Sequence, residues 1–337
     1  MAVQVRSDVR LADLTTLAVG GPIERLVEAE TAAELVAAVR EADEAGRPLL
    51  LLGGGSNVVA PDEGWPGDVV AVRTRGIDRT GTSLVVAAGH DWDELVGFTV
   101  ASGLAGMEAL SGIPGSTGAT PVQNVGAYGQ EVAQMITAVR VYDRAEKTEQ
   151  VLTPEECRFA YRDSRLKREP GRFVVLDVTF QLDESPESRP VGYAELARTL
   201  GIEIGKTAPL AAVREAVIAL RRGKGMVLDP ADADSRSAGS FFTNPVVPVE
   251  RSVEGCPSWP AGDGQVKLSA AWLVQHAGFG RGTRDGHVGT SSRHSLALTT
   301  EPGATAAELL AFADRIVATV QETFGVTLDR EPTAVRA

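Results

Sequence analysis

Two glycine-rich segments constrain this chain more than any other feature of its sequence. The first, GGGSN at residues 53–57, directly follows the apolar run Leu49–Leu52, which predicts a short buried strand. Three successive glycines let backbone N–H groups approach an anionic oxygen, and Ser56 and Asn57 add side-chain hydrogen bonds. Taken alone, such a segment is also compatible with a flexible turn. Neither GxGxxG nor GxxxxGKS/T occurs, so a Rossmann site and a P-loop are both disfavoured.

The second glycine-rich segment is longer and comprises IPGSTGA at residues 113–119 and QNVGAYG at residues 123–129. Small residues with hydroxyl and amide groups at this density suit a long loop wrapped around a polar, planar cofactor. The chain has 36 glycines in 337 residues, about 11% against an average near 7%. Two such segments together predict a dinucleotide ligand larger than the first loop alone can hold.

Patterns of apolar residues predict an α+β protein of at least two domains, because helix and strand signals alternate over the first 185 residues. The polar stretch 183–190 predicts a surface loop, with a domain break near 185–200. Helices are predicted at 32–45, 91–101, 210–222, 269–276 and 306–324, and strands at 49–52, 69–72, 84–88, 139–142, 173–180 and 326–331.

Charge and composition narrow the functional class. The chain has 33 Lys and Arg against 45 Asp and Glu, a net charge of −12, which disfavours a nucleic-acid partner. Cys157 and Cys256 form no CxxC pattern, and the four histidines lack metal-site spacing, so no metal is expected. No apolar run reaches the ~18–20 residues that span a membrane, and the N-terminus lacks a signal-peptide pattern. We therefore expect a cytoplasmic protein with reduced thiols and no membrane partner.

Several motifs in the order of the chain resemble the bacterial UDP-N-acetylenolpyruvoylglucosamine reductases of peptidoglycan synthesis. They are GGGSN at 53–57, IPGSTGATPVQNVGAYG at 113–129, YRDSRLK at 161–167, AGSFFTNP at 238–245, AAWLVQHAGF at 270–279 and REPTAVR at 330–336. The resemblance implies an FAD-binding domain of the vanillyl-alcohol-oxidase (PCMH) type with two α+β subdomains, at 15–185, and a C-terminal α+β substrate domain at 200–332. It also implies an NADPH-dependent flavoenzyme that reduces an enolpyruvyl ether of a UDP-sugar to a D-lactyl ether.

The resemblance assigns the catalytic roles to Arg162, Ser240 and Glu331. Hydride arriving at the β-carbon builds negative charge on the substrate carboxylate, and a guanidinium such as Arg162 can stabilise that charge bidentately. Ser240 would give a proton to the α-carbon, and Glu331 would assist by sharing a proton. Each of these residues taken alone is more often a surface charge, a turn residue or a tail charge, so the assignment depends on the joint match.

Binding roles follow from the same resemblance. The implied cofactor-binding residues are Gly53, Gly54, Gly55, Ser56, Asn57, Gly115, Ser116, Gly118, Ala119, Gln123 and Asn124. The implied substrate-binding residues are Tyr128, Tyr193, Arg221, Lys224, Asn244 and Gln275. Arg221 and Lys224 would bind the diphosphate, although cations at a helix C-terminus also complement the helix dipole. Tyr193 matches the mobile tyrosine loop of the first type of this family, and a monomer is expected.

Two departures from the family pattern and two alternative functions remain at this point. Thr243 stands where many members have Lys, and the ending EPTAVRA changes the spacing after Glu331, which leaves the role of Arg336 open.

One alternative function is that of another flavoenzyme of the same cofactor fold, such as a sugar-lactone or alcohol oxidase. The other is a nucleotide-sugar-binding regulatory protein without catalysis. The absence of His from both glycine-rich segments disfavours the covalent flavin of many such oxidases.

Overall fold

Within residues 5–336, which the computed structural model describes, the chain forms eight α-helices. They are α1 Ala32–Glu44, α2 Trp92–Ala101, α3 Pro154–Cys157, α4 Arg165–Arg168, α5 Ala194–Leu200, α6 Leu210–Gly223, α7 Ala270–His276 and α8 Ala306–Phe324. Single 3₁₀ turns lie at Leu11–Leu14, Glu108–Leu110, Thr117–Ala119, Val132–Gln134, Ala233–Ser235 and Val249–Arg251.

The strands are short, and most pair antiparallel. They are β1 Val5–Arg6, β2 Ile23–Ala29, β3 Leu49–Leu52, β4 Val58–Val59, β5 Trp65–Val72, β6 Ile77–Thr80, β7 Ser83–Ala87, β8 Leu104–Ala105, β9 Gly126–Ala127, β10 Gln130–Glu131, β11 Ile136–Asp143, β12 Thr148–Leu152, β13 Phe173–Gln181, β14 Asp183–Glu184, β15 Ser237–Ser240, β16 Val246–Pro248, β17 Ser258–Gly262, β18 Gln265–Leu268, β19 Arg284–Asp285, β20 Val288–Thr290, β21 Ala297–Thr300 and β22 Thr333–Ala334.

The first of two compact units consists of residues 5–9, 23–54 and 65–222. Its first sheet has the order β1-β2-β5-β3, in which β2, β5 and β3 run parallel and α1 supplies the crossover. Its second sheet is antiparallel, with the order β12-β11-β13-β7-β6. One core joins them, because Leu35 and Val39 of α1 belong to the same buried cluster as Val139 of β11 and Val178 of β13.

The second unit consists of residues 10–22, 55–64 and 223–336. Its larger sheet has the order β15-β21-β20-β19, and the long helix α8 buries Phe312 and Ile316 in the same cluster as Phe241 and Leu298. A smaller sheet has the order β16-β18-β17, and β4 pairs in parallel with β22. The Asp62 carboxylate accepts hydrogen bonds from the first two N–H groups of α8, at 2.7 and 2.9 Å. Residues 55–64 are thus tied to the C-terminal part of the chain.

The helices predicted from periodicity are confirmed to within a few residues, since their capping residues are explicit in the sequence. Asp91 accepts a hydrogen bond at the start of α2, and Ser269 does the same at the start of α7. The predicted strand at 326–331 is wrong: the segment contains only an isolated bridge, and β22 follows it. Val326 and Leu328 are buried there, so their apolar character reflects core packing and not strand pairing.

The compact units divide the chain differently from the predicted ranges 15–185 and 200–332. Helix α6 belongs to the first unit, because its Val213 and Val217 pack with Leu196 of α5 and with Ala109. Residues 10–22 and 55–64 belong to the second unit although they precede most of the first. The GGGSN segment is therefore divided between the units, after Gly54.

A buried carboxylate fixes the end of β11. The side chain of Asp143 is 0% exposed and accepts hydrogen bonds from Arg172 Nη2 and Gln150 Nε2, both at 2.8 Å, and from Ala145 N at 2.9 Å. Burial alone would raise the pKa of Asp143, but the Arg172 guanidinium and the backbone donors outweigh it, so this pKa is lowered. The group is therefore held as an anion that stabilises the folded state.

We expect Asp143→Asn to reduce the free energy of unfolding by about 3 kcal/mol near neutral pH, because it removes one partner of a buried ion pair. Since the folded pKa is depressed, the contribution of Asp143 is complete above the ordinary carboxyl pKa of about 3.9 and is lost as the pH falls further. Denaturant unfolding of both proteins at several pH values should show the difference narrowing in acid. The control is Glu146→Gln, since Glu146 is 67% exposed and lies 3.8 Å from the same Arg172; an equal loss there would contradict the argument.

Candidate active site

The two glycine-rich segments meet in the first unit. A Cβ atom on Gly54 would stand 2.6 Å from the Gly115 Cα atom, and one on Gly53 would stand 2.3 Å from Ser116 Oγ. Carbon atoms do not tolerate such distances, so only glycine permits the two loops to approach this closely. The structure thus brings together four residues that were predicted separately as cofactor contacts, and it forms one continuous backbone-lined surface from them.

The second loop is anchored to the segment between β7 and α2. Thr117 N donates to His90 O at 2.8 Å, and Gly118 N donates to Ala88 O at 2.7 Å. A Cβ on Gly118 would stand 2.5 Å from Ala88 Cβ, so the loop lies directly on this backbone. The anchoring fixes the conformation of the loop before any ligand binds.

His90 adds an unusual feature beside this loop. Its Nδ1 atom is buried and has no hydrogen-bond partner among the residues that the structure describes. Burial lowers the pKa of His90, and Arg75 lowers it further, so the ring is neutral near pH 7. A buried polar atom without a partner is uncommon in folded proteins, so this nitrogen has an unused capacity to bind a ligand atom.

Asn124, a predicted cofactor contact, is 1% exposed and has a left-handed φ of 43°. Its Nδ2 atom donates to Glu131 Oε2 at 2.9 Å and to Ala160 O at 3.0 Å, and its Oδ1 atom accepts from Ala133 N at 3.1 Å. These bonds hold residues 123–129 against the neighbouring turns. In this structure Asn124 shapes the loop through contacts within the protein.

Arg162 lies against the same loop. It occupies a turn closed by the bridge between Ala160 and Asp163, with a left-handed φ of 54°. Its Nη2 atom donates to Gly126 O at 2.5 Å, and its Nη1 atom donates to Asn124 O at 3.4 Å. The guanidinium is therefore oriented by the backbone of the second glycine-rich segment.

A buried cation and two tyrosines form a further part of the first unit. Arg221 is 9% exposed and donates from Nε to Gly112 O at 3.0 Å. Burial lowers the pKa of this guanidinium, and Tyr128 and Asp93 oppose the effect. Burial raises the pKa of Tyr128 to about 12, and its ring packs edge-on against Tyr193 at 5.4 Å between centroids. At neutral pH both the phenol and the guanidinium are donors suited to an anionic ligand.

In the second unit, backbone pairing brings Ser240, Glu331 and Asn57 close together. Glu331 N donates to Phe241 O at 2.9 Å, and Ser240 immediately precedes Phe241. Asn57 Nδ2 donates to Glu331 O at 3.3 Å, and Thr333 N donates to Asn57 O at 3.0 Å. Two predicted catalytic residues and one predicted cofactor contact are thus held by a single set of strand-like hydrogen bonds.

The other predicted substrate residues have distinct positions. Asn244 Oδ1 accepts from Ala270 N at 2.9 Å and so holds the start of α7. Gln275 is exposed on α7, and Lys224 is half-buried directly after α6. Thr243, which stands where many relatives have Lys, is half-buried and donates its backbone N–H to Asp329 O.

The remaining predicted cofactor residues vary in exposure. Gly55 has a left-handed φ of 64°, and a Cβ there would stand 2.0 Å from Leu14 O, within the second unit. Ser56 is half-buried, its carbonyl oxygen accepting from Thr16 Oγ1 at 3.4 Å. Gln123 is buried and Ala119 is exposed. Only Gly55 among these positions requires its residue type for steric reasons.

Residues 5–336 contain neither a membrane-spanning helix nor a cluster of metal-ligating side chains. None of the helices there is long and apolar enough to cross a membrane. In the same residues, no three His, Cys, Asp or Glu side chains converge as a metal site requires.

Comparison with known proteins identifies the two halves of the chain. Residues 23–151 match the family described as FAD binding domain, and residues 229–335 match the C-terminal domain of UDP-N-acetylenolpyruvoylglucosamine reductase. The reductase of Streptomyces coelicolor is 52% identical over 99% of this chain and 91% of its own length. That of Thermobifida fusca is 50% identical over 99% of both chains. The chain belongs to this reductase family.

A solved structure agrees with this assignment. The reductase from Thermus caldophilus superposes with a TM-score of 0.70 at 28% identity, covering 99% of this chain and 100% of its own. The predicted family, the α+β fold class with an FAD-binding domain, and the assignment as an oxidoreductase are therefore confirmed. The individual site residues stay predictions, and the structure supplies the geometry by which they can be judged.

The residues present in the first unit fit an FAD cofactor. FAD carries an anionic diphosphate and a planar ring with polar edges. Gly54 packs so closely on the second loop that an added Cβ would stand 2.6 Å from Gly115 Cα, and glycine backbone of this kind suits contact with phosphate oxygens. His90 supplies a buried nitrogen that a ligand heteroatom can satisfy. Both features are expected of a site preformed for a dinucleotide.

Sequence reasoning assigned no role to His90, Gly112, Asp93 or Arg214. Asp93 lies in the acidic first turn of α2, which by itself indicates only a favourable interaction with the helix dipole. Its partner Arg214 is 121 residues away in the chain, and both guanidinium Nη atoms contact the carboxylate. No local pattern could have revealed this pair.

We expect Gly54→Ala to weaken FAD binding about tenfold or more, about 1.4 kcal/mol, because the added methyl group separates the two loops. The absorbance of flavin per purified chain measures the effect, with circular dichroism confirming that the variant is folded. Gly280→Ala is the matched control, since that position has no atom within 4 Å of the added Cβ. A folded Gly54→Ala protein with a full complement of flavin would show that the loop contact does not matter for binding.

Proposed function

We propose that this chain reduces UDP-N-acetyl-3-O-(1-carboxyvinyl)-glucosamine to UDP-N-acetylmuramate, with NADPH as the electron donor. The observation that carries the proposal is the backbone hydrogen bond from Glu331 N to Phe241 O, which pairs the segment of Glu331 with the segment of Ser240 in a chain of this reductase family. FAD bound at the glycine-rich loops would supply the hydride chemistry between NADPH and the enolpyruvyl β-carbon.

Hydride addition to the β-carbon places negative charge on the α-carbon and the attached carboxylate. Arg162 is the group proposed to stabilise that charge, because its planar guanidinium matches a carboxylate and is already oriented by Gly126 O. Fixing the orientation in advance reduces the reorganisation needed in the transition state. Uncharged donors in the same position would stabilise the charge less.

The α-carbon then needs a proton, which we assign to the Ser240 hydroxyl. Ser240 ends β15 and is paired with Ala297 of β21 after a register shift, so its backbone is held at the end of a strand. A hydroxyl is a weak acid, so transfer requires the adjacent carbanionic intermediate as the driving force. Glu331, whose backbone N–H donates to Phe241 O, is proposed to share or resupply the proton.

The substrate diphosphate is proposed to bind at Arg221 and Lys224, with Tyr128 and Tyr193 alongside. The protein has a net charge of −12, so a local cation is needed to attract an anionic nucleotide sugar. Arg221 provides it in a desolvated position, where ion–ion interactions are stronger than in water. Asn244 and Gln275 are proposed as further substrate contacts.

Because NADPH and the nucleotide sugar are phosphorylated, membrane-impermeant molecules, we propose that the protein acts in the cytoplasm. The monomeric state stays a prediction.

The two alternative functions are distinguished from this proposal by one experiment on the purified protein. We expect one FAD per chain, released by acid precipitation, because the glycine-lined surface holds it without a covalent bond. NADPH under anaerobic conditions should bleach the visible absorption, and the enolpyruvyl nucleotide sugar should restore it. An oxidase would be recoloured by oxygen and not by this substrate, and a regulatory protein would not be bleached on a catalytic timescale.

We expect Ser240→Ala to leave bleaching by NADPH nearly unchanged and to slow recolouring by the enolpyruvyl substrate about 10²–10⁴-fold, because only the second step needs the proton. Stopped-flow absorbance measures both steps separately. Ser240→Cys retains a proton donor and should lose less. Lys224→Ala should instead raise mainly KM, since a phosphate contact stabilises ground and transition states alike. If Ser240→Ala slowed both steps equally, the hydroxyl would be structural and the assignment wrong.

A further inference from the structure

Burial of the Arg221 guanidinium costs free energy, and the proposed diphosphate contact offsets that cost only while substrate is bound. A guanidinium that is only 9% exposed has lost most of its hydration, which is costly unless anionic or polar groups compensate. In the absence of substrate, the compensation must come from the protein. The negative charge of Asp93 favours the charged form of Arg221.

Asp93 makes three strong contacts. Its Oδ1 atom lies 2.6 Å from Arg214 Nη1 and accepts from Gly112 N at 2.6 Å, and its Oδ2 atom lies 2.9 Å from Arg214 Nη2. Burial would raise the pKa of Asp93, but Arg214 and the Gly112 N–H outweigh it and lower this pKa. The carboxylate therefore stays ionised and fully engaged at neutral pH.

Asp93 is connected to Arg221 in two ways, through Gly112 and through helix α6. Gly112, whose N–H is held by Asp93, offers its own carbonyl oxygen to Arg221 Nε at 3.0 Å. Arg214 and Arg221 are seven residues apart on α6, which places them on the same helix face two turns apart. Asp93 therefore fixes both the loop that Arg221 contacts and the rotation of the helix that carries it.

We propose that Asp93 is a positioning residue for Arg221, acting through Arg214 and Gly112 to aim the guanidinium at the substrate diphosphate. The Nε atom donates to Gly112 O, which fixes the plane of a guanidinium whose N–H groups can bind the oxygens of an oxyanion. A helix that rotates or slides by a fraction of a turn would move these N–H groups away from the anion. The inference depends on the proposed function, because it assigns Arg221 to the diphosphate.

The test measures KM and kcat of the flavin-loaded enzyme for the enolpyruvyl nucleotide sugar, together with the dissociation constant of UDP by calorimetry. We expect Asp93→Asn to raise KM and the UDP dissociation constant about tenfold, while kcat changes less than about twofold. Flavin content should be unchanged. The matched control is Glu94→Gln: Glu94 is the next residue, is 67% exposed and pairs only at the surface with Arg75. This control should leave both constants unchanged.

The background variant Arg221→Ala separates positioning from a general structural role. If Asp93 acts through Arg221, adding Asp93→Asn to Arg221→Ala should change KM by less than about twofold, because the group being positioned is gone. If the two substitutions instead raised KM independently, so that their fold-changes multiplied, the inference would be wrong. If Asp93→Asn itself fails to fold, Arg214→Lys keeps the cation but breaks the two-point contact. Arg214→Lys should raise KM less than Asp93→Asn does. In the Arg221→Ala background, Arg214→Lys should again change KM little.

Failure of the inference is distinguishable from failure of the proposed function. If Arg221→Ala raises KM and the folded Asp93 and Arg214 variants do not, the positioning role is wrong and the diphosphate assignment stands. If Arg221→Ala leaves KM and UDP affinity unchanged, the diphosphate assignment is wrong, and the positioning proposal fails with it.

Discussion

The close approach of backbone to backbone at Gly54 and Gly115 is the constraint on which the rest of the first unit depends. The first of these residues follows strand β3 of the parallel sheet, and the second precedes the turn that lies on Ala88 after β7 of the antiparallel sheet. Their contact is possible only because Gly54 carries no Cβ. Two sheets that share one core thus bring the two predicted cofactor-binding loops into direct contact.

In the second unit, backbone hydrogen bonds hold the segments of the two residues that are proposed to carry the proton, Ser240 and Glu331. Ser240 ends a strand of the larger sheet, and Glu331 lies in a C-terminal segment without regular structure. Hydrogen bonds from Glu331 N to Phe241 O and from Thr333 N to Asn57 O order that segment. Residues 331–333 are therefore held by two segments that lie far earlier in the chain. This explains why residues 55–64 belong to this unit although they lie early in the chain.

The predicted substrate-binding cations are also held in place by parts of the chain that are distant in sequence. An acidic protein that binds anionic ligands needs cations that are held in place, because a mobile surface lysine or arginine would be screened by solvent and attracted to the many carboxylates. Arg162 and Arg221 are both held by backbone carbonyl oxygens, of Gly126 and Gly112 respectively. Both carbonyls belong to the glycine-rich region 112–129, so one loop system orders the two predicted substrate cations.

The sequence by itself determined the family, the helices with explicit caps, and the residue types that the chemistry requires, because these signals are local and lie in short contiguous motifs. It could not determine the end of the chain: Val326 and Leu328 have the apolar character of a strand, but their burial comes from core packing. Nor could it show that Asn124 is engaged within the protein, that His90 lacks a partner among the described residues, or that Asp93 binds Arg214. Those facts depend on which distant segments the folded chain brings into contact, and a linear pattern of residue types carries no information on such pairings.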